Sequence, residues 1–122
     1  MEEERLKVGK IKAGDCVIAV GNPKVGREVL EEGVIELETV LGLSKSERVH
    51  ELLPVGSGGI RREIEELEKI YGIRISLKDN PRIAIDRSCG PSSVLLAMVA
   101  EEDLDRVLDG IKEEVEVIGE VL

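Results

Sequence analysis

Residues 54–62 combine residue types that can hold an anion. Their sequence, PVGSGGIRR, follows an apolar run and opens an amphipathic helical pattern. A glycine-rich turn at the start of a helix exposes backbone N–H groups at the positive end of the helix dipole. Arg61 would lie in the first helical turn, where positive charge is unfavourable unless something negative is nearby. The candidate anion-binding residues of this turn are Gly56, Ser57, Gly58, Gly59 and Arg61.

The same turn also has a purely structural interpretation. It lacks the Gly-Lys-Ser/Thr ending of a Walker A loop, and it does not match the G-x-G-x-x-G pattern of a dinucleotide-binding fold. A tight connection from a strand to a helix, with Ser57 as the helix cap, would explain these residues without any ligand. The residues alone leave both interpretations open.

A second glycine-bearing turn follows a separate apolar run. Residues 21–26, GNPKVG, place Lys24 between glycines that allow the backbone to approach a ligand closely. An ordinary turn with a solvated lysine is the structural alternative. If both turns emerge at one edge of a sheet, they favour a shared anion site, to which this segment adds Gly21, Lys24 and Gly26.

The other reactive side chains form no catalytic or metal-binding pattern. His50, the sole histidine, is interpreted as a structural residue or a ligand contact. Cys16 and Cys89 match no metal-ligand spacing and lie in or beside apolar runs, which favours buried free thiols over a disulfide. No sequence argument brings Cys89 near His50 as a nucleophile–base pair. We therefore assign no catalytic residue and no metal ligand.

The composition indicates one globular domain with an aliphatic core. The chain has 122 residues, 42% of them hydrophobic, with one Tyr as its only aromatic residue. A net charge of −9 argues against nucleic acid or an anionic membrane surface as the main partner. The 35% of charged residues is typical of thermophile proteins. Because no signal peptide or long apolar span is present, we expect a cytoplasmic protein.

The periodicity of apolar residues predicts alternating strands and helices. Two apolar runs, 16–20 and 93–99, predict strands buried on both faces. Further strands are predicted at 49–55, 73–77 and 115–121, with a short extended piece at 83–85. Helices are predicted at 27–32, 35–43 and 60–71 and from Glu101 onward, the third ending before Gly72. We expect a lead-in segment at 1–13 and a single layered domain of α/β or α+β class at 14–122.

The order and spacing of these segments resemble the C-terminal domain of the aminoimidazole ribonucleotide synthetase-like (PurM-like) superfamily. This superfamily includes selenophosphate synthetase, thiamine-monophosphate kinase and the hydrogenase maturation protein HypE. The resemblance spans roughly residues 8–121. It rests on GDCVI at 14–18, the glycine-bearing segment 21–26, VHE at 49–51 with the glycine turn after it, and CGPSS at 89–93.

The resemblance implies an α+β fold, with three layers (α/β/α), a mixed sheet and a partly ferredoxin-like arrangement. Complete family members carry an N-terminal domain that dimerises and supplies most ATP and metal ligands. We expect this chain to be a stand-alone form, without a cofactor unless a partner brings ATP and magnesium. His50 and residues 56–59 match a His-Asp-x-x-x-Gly-Gly-like segment, which adds His50 to the candidate ligand-binding residues. Glu51 stands where the family often has Asp.

Three functional hypotheses follow. The leading one is a non-catalytic domain that binds a phosphate-bearing or other anionic ligand, or that docks on a separate ATP-binding partner. The alternative is one half of a split ATP-dependent kinase or synthetase, in which Lys24, His50 and the glycine turn contact phosphates or substrate. The third is a homo-oligomeric interaction module, such as a homodimer, that needs no ligand. Neither nucleic acid nor a membrane is an expected partner.

Overall fold

The computed structural model describes residues 10–23, 35–90 and 93–122. Its strands are β1 (Cys16–Gly21), β2 (Val49–Pro54), β3 (Ile75–Leu77), β4 (Val94–Val99) and β5 (Val115–Val121). Within the described residues its α-helices are α1 (Leu37–Lys45), α2 (Gly59–Tyr71) and α3 (Leu104–Asp109), the last preceded by a 3-10 turn, Glu101–Asp103. The strands form one sheet in the order β2-β4-β1-β5-β3.

The sheet is antiparallel throughout, so the fold is α+β and the predicted mixed sheet was wrong. The four neighbouring pairs, β1–β4, β1–β5, β2–β4 and β3–β5, are all antiparallel. Strands that are apolar on both faces are typical of parallel sheets. Here the same pattern arises because helices cover both faces of the central antiparallel strands, and β4 is buried along its whole length.

Alternating side chains divide the core between the two faces of the sheet. One face packs against α2, through core residues that include Val17, Ile60, Ile64, Leu67 and Met98. The other face packs against α1 and α3, through core residues that include Ile18, Val20, Leu43, Ala97 and Val107. A layer of helix therefore lies on each side of the sheet.

Four of the strands follow the β-α-β-β-α-β order of ferredoxin-like domains. They are β1, β2, β4 and β5, with α1 between the first two and α3 between the last two. Both of these helices contribute to the same core, so they cover the same face. Between β2 and β4 the chain inserts α2, which covers the opposite face, and β3, which adds an edge strand.

Most predicted elements are confirmed, with shifted ends. The strands lie within the predicted segments or one residue beyond them, and α2 ends at Tyr71 before a left-handed Gly72. The extended piece predicted at 83–85 was wrong, because these residues form turns and bends while Ile83 and Ile85 still pack into the core. The predicted helix at 27–32 and most of the lead-in at 1–13 lie outside the described residues.

Candidate functional site

The antiparallel pairing brings the ends of different strands together. Strands β1 and β2 both pair antiparallel to β4, which lies between them, so they run in the same direction. Gly21 and the turn at 55–59 therefore lie at one end of the sheet, beside the start of β4; we call this the glycine end. Asp15, His50 and residues 100–103 lie at the opposite end, which we call the histidine end.

The two glycine-bearing turns share a sheet end, as the anion-site prediction requires. Gly21 pairs with Val94, and the N–H of Val55 donates to the carbonyl of the same Val94 at 3.0 Å. With β4 between β1 and β2, two strand spacings of about 4.8 Å separate the turns by about 10 Å. Lys24 and Gly26, the other candidates from the first turn, lie outside the described residues.

His50 does not join this group, although the resemblance placed it with the glycine turn. It is the second residue of β2, whereas Gly56 lies two residues beyond the end of that strand. At about 3.3 Å per residue, an extended chain puts about 20 Å between them. The structure therefore divides the candidate residues between two separate places on the molecule.

The glycine turn satisfies part of its own backbone. The N–H of Gly59 donates to the carbonyl of Gly56 at 3.0 Å, and the N–H of Arg61 donates to the carbonyl of Ile85 at 2.9 Å. Within the described parts of the chain, the N–H groups of Ser57 and Ile60 donate to no backbone carbonyl. Two donors of this turn are thus already used within the protein.

The start of α2 differs from the predicted cap. The N-cap residue is Gly58, which also donates to no backbone carbonyl among the described residues, and no side chain caps the helix. The predicted Ser57 cap was wrong because the helix begins two residues after Ser57. Ser57 is exposed, and its hydroxyl makes no capping bond to the helix.

The anion expected near Arg61 is supplied by the protein itself. Arg61 Nε lies 2.7 Å from Asp86 Oδ1, with both side chains largely exposed. This hydrogen bond and the charge of Asp86 raise the pKa of the Arg61 guanidinium. The position of Arg61 in the first helical turn is therefore explained without a bound ligand.

Two glycines of this end are required by backbone packing. Gly21 has φ 95°, and a Cβ there would lie 2.2 Å from the carbonyl oxygen of Ser93. Gly59 has φ 87°, and a Cβ there would lie 2.8 Å from the carbonyl oxygen of Arg87. Residues other than glycine rarely adopt a positive φ. Neither oxygen can move away from an added Cβ unless the backbone that carries it also moves. By contrast, a Cβ at Gly56 would meet nothing within 4 Å.

The histidine end contains a hydrogen-bonded pair that sequence reasoning missed. His50 Nδ1 lies 2.8 Å from Asp15 Oδ2, and the backbone N–H of Lys12 donates to the same oxygen at 2.9 Å. Asp15 is buried, and its carboxylate accepts both bonds, so Nδ1 carries the imidazole proton. The available signal was that Asp15 directly precedes one strand and His50 is the second residue of another. This signal identifies the pair only once the pairing of both strands with β4 is known.

His50 lies in a β-bulge of β2. The register of β2 against β4 shifts between Val49 and Glu51, so His50 is the additional residue of the bulge. A bulge bends its strand and can redirect a side chain. His50 and Asp15 line a cavity of about 310 Å³ together with residues 12–14 and 100–103.

The two cysteines are free thiols, as predicted. Cys89 is buried and Cys16 is half-buried, and burial is the main cause that raises the pKa of each thiol. Glu101, Glu120 and Asp15 raise the pKa of Cys16 further. Cys89 precedes β4 at the glycine end, far from His50. A raised pKa disfavours the reactive thiolate, so neither cysteine has the surroundings of a nucleophile.

Neither a metal centre nor a membrane span is found in the described part of the chain. Over residues 10–23, 35–90 and 93–122, no three His, Cys, Asp or Glu side chains converge so that they could hold a metal ion. No helix in these ranges combines the length and apolar character needed to cross a bilayer.

Fold and site together define an α+β domain with a ferredoxin-like strand order and an inserted helix and edge strand. Part of E. coli HypE, a hydrogenase maturation protein, has this fold. One crystal structure of HypE matches with a TM-score of 0.71 and 17% identity, covering 91% of this chain and 44% of HypE. A second gives 0.71 and 18%, covering 94% and 46%.

At this identity the likeness establishes the fold alone; the PurM-like resemblance predicted its α+β class but not its antiparallel sheet. The chain spans less than half the length of the HypE structures it matches. No protein-family model matches the chain, and no curated protein sequence matches it.

Proposed function

We propose that this chain is a non-catalytic binding domain that holds a phosphate-bearing small molecule at the glycine end. The observation that supports this is the exposed turn at 56–58. Two N–H groups there, of Ser57 and Gly58, donate to no backbone carbonyl among the described residues. They stand at the positive end of α2, a helix of 13 residues, where an anion is stabilised by about 0.3–1 kcal/mol.

The charge of the whole chain restricts the ligand to a compact anion. With a net charge of −9, the protein repels extended polyanions, so only close local contacts can hold negative charge. A phosphate group offers several acceptor oxygens to N–H donors of this kind. In this proposal the turn at 56–58 cradles the phosphate, while Arg61 and Lys24 supply positive charge. His50 is excluded because it lies at the other end of the sheet.

Calorimetric titration with inorganic phosphate and with ATP tests this proposal. Arg61→Ala combined with Lys24→Ala is expected to weaken binding roughly tenfold, because hydrogen bonds to charged groups are the stronger ones. A matched control, Lys69→Ala with Arg106→Ala, removes the same charge from exposed positions on α2 and α3 and should bind like the wild type. If the wild-type protein gives no heat with phosphate, nucleotides or phosphorylated metabolites, the proposal fails.

A second candidate function is docking on a separate ATP-binding protein, as one half of a split kinase or synthetase. It is favoured by two observations. The chain matches less than half of HypE, and Leu37 and Leu41 on α1 are 70% and 44% exposed. ATP and magnesium would then be bound by the partner. Co-purification of a partner, with ATP turnover only in the mixture, would support this function; no complex and no turnover would exclude it.

The third candidate is a homo-oligomeric module without a ligand. Light scattering tests it, because it measures whether the chain is a monomer or an oligomer. An exposed apolar pair such as Leu37 and Leu41 can also serve contact between two copies. A dimer that persists in Leu37→Glu would locate the contact elsewhere. A clean monomer in the wild type would exclude this function altogether.

A further inference from the structure

We infer that the histidine end is a second binding site, for a small organic cation that carries an ammonium group. The inference is independent of the phosphate site, because it concerns the opposite end of the sheet. It rests on the His50–Asp15 pair, in which Asp15 is buried and His50 is half-buried, and which lines a cavity of about 310 Å³. That volume lies at the lower end of the range for small-molecule sites.

The pair leaves one acceptor on His50, a residue that lines the cavity. The Asp15 side chain is 3% exposed and that of His50 is 15% exposed. Because Nδ1 donates to Asp15, the neutral ring keeps its lone pair on Nε2. No described residue donates a hydrogen bond to Nε2. An acceptor held by a buried carboxylate in this way suits a ligand that brings its own hydrogen-bond donor.

The charges around the cavity select a cation. Among the described residues its wall includes Asp15, Glu101, Glu102 and Asp103, which are acidic, and Lys12. Arg48 Nε lies 3.6 Å from Asp103 Oδ1 and offsets part of that charge. An ammonium group has donors and no acceptor, so it can donate to the imidazole nitrogen while the surrounding carboxylates attract its positive charge. An anion would be repelled, and a neutral ligand would gain nothing from these charges.

A metal ion is a poorer match to the same residues. No three potential ligands converge in the described part of the chain. The bulge at His50 aims a single nitrogen, and the Asp15 carboxylate already accepts bonds from His50 Nδ1 and Lys12 N–H. The arrangement therefore offers one well-placed acceptor and a negative rim, which is the set of contacts that an amine needs.

NMR on the intact chain tests the inference, because its single histidine gives one unambiguous imidazole signal. Titration with 1,4-diaminobutane at constant ionic strength should shift the Nε2 resonance of His50 saturably. Glu101→Gln combined with Glu102→Gln should raise the dissociation constant roughly two- to twentyfold, the range for removing two exposed charge contacts. Both positions are exposed, so the fold should be retained.

Glu65→Gln with Glu66→Gln is the matched control. These exposed residues of α2 lie away from the cavity and change the net charge equally, so the dissociation constant should not move. Three results would overturn the inference: no saturable shift up to about 10 mM diamine, equal weakening by both double variants, or undiminished calorimetric affinity in His50→Gln. A saturable response to Zn²⁺ but not to the diamine would replace it with a metal site.

Discussion

The two ends of the sheet differ in charge and in how their polar groups are used. At the glycine end, the N-terminus of α2 and the side chain of Arg61 provide positive charge. Two groups of the protein already bind there: the carbonyl of Ile85 accepts the N–H of Arg61, and the carboxylate of Asp86 pairs with its guanidinium. At the histidine end, carboxylates surround a cavity, and the buried Asp15 holds the ring of His50 in one orientation. The conspicuous sequence motif thus lies at an end where Arg61 already has partners within the protein.

This comparison shows that a glycine-rich turn can meet two different demands. Gly21 and Gly59 allow one backbone to pass close to another, whereas Gly56 faces open space. Sequence alone does not distinguish these roles, because both need a residue without a side chain. The direction in which a Cβ would point does distinguish them, and it assigns the first two to packing.

The largest expected effect separates these two roles of glycine. Gly21→Ala should lower the free energy of unfolding by about 3 kcal/mol or more, because it adds strain at a positive φ and a clash with a backbone oxygen. Gly56→Ala, at the same end, should change it by no more than about 0.5 kcal/mol. Urea denaturation followed by circular dichroism measures both. Similar losses for the two variants would refute the assignment of Gly21 to packing.

The next largest effect is expected at the histidine end. Asp15→Asn keeps the shape of the side chain but removes the charge that accepts bonds from Lys12 and His50. The free energy of unfolding should fall by about 1.5–3 kcal/mol, the usual value for hydrogen bonds to a charged group. The exposed Asp79→Asn is the control, with an expected change below about 0.5 kcal/mol. Equal behaviour of the two variants would mean that the pair contributes no stability.

Local periodicity predicted most of the elements because it is written in neighbouring residues. The stripe of Ile60, Ile64 and Leu67 predicted α2, and the apolar run of β4 predicted a doubly buried strand. Strand direction was not predictable in the same way. Burial on both faces reports that helices cover both sides of a strand, which parallel and antiparallel sheets share.

The candidate site was predicted less well because it depends on pairing between distant segments. The glycine turn is a contiguous motif, so its position before α2 was evident. Asp15 and His50 meet only because β1 and β2 flank β4 in register, a relation between residues 35 positions apart. Arg61 and Asp86 meet through a loop that contains no strand, and its turns were predicted as an extended piece.

A smaller effect concerns the loop that leads from β3 past the glycine end. Glu116 of β5 accepts N–H bonds from Arg82 and Ile83 at 2.8 and 2.9 Å and pairs with Lys78 at 2.9 Å. Burial raises the pKa of Glu116, but these bonds and the charge of Lys78 outweigh it, so the pKa is lowered overall. Glu116→Gln should lower the free energy of unfolding at pH 7 by about 1–2 kcal/mol.

The pH dependence has a definite sign at this position. Because the folded-state pKa lies below the ordinary value of 4.5, the contribution of Glu116 is complete above that value. It is lost as the pH falls through the folded-state pKa. Wild-type stability should therefore decline more steeply below pH 4.5 than that of Glu116→Gln. Exposed Glu47→Gln should keep the wild-type slope, and a parallel decline of all three proteins would contradict the assignment.

The smallest effect on stability, and the sharpest test of the glycine end, is expected from Asp86→Asn. Asp86 is 72% exposed, so its removal should leave the urea midpoint unchanged. It frees Arg61, however, and if a phosphate binds at the proposed turn, its affinity should rise roughly two- to fivefold. Asp79→Asn changes the net charge equally without touching Arg61, so calorimetry of the two variants separates a local effect from general repulsion. An equal gain in both would mean that Arg61 takes no part in anion binding, and the turn at 56–58 would then have to bind phosphate through its backbone alone.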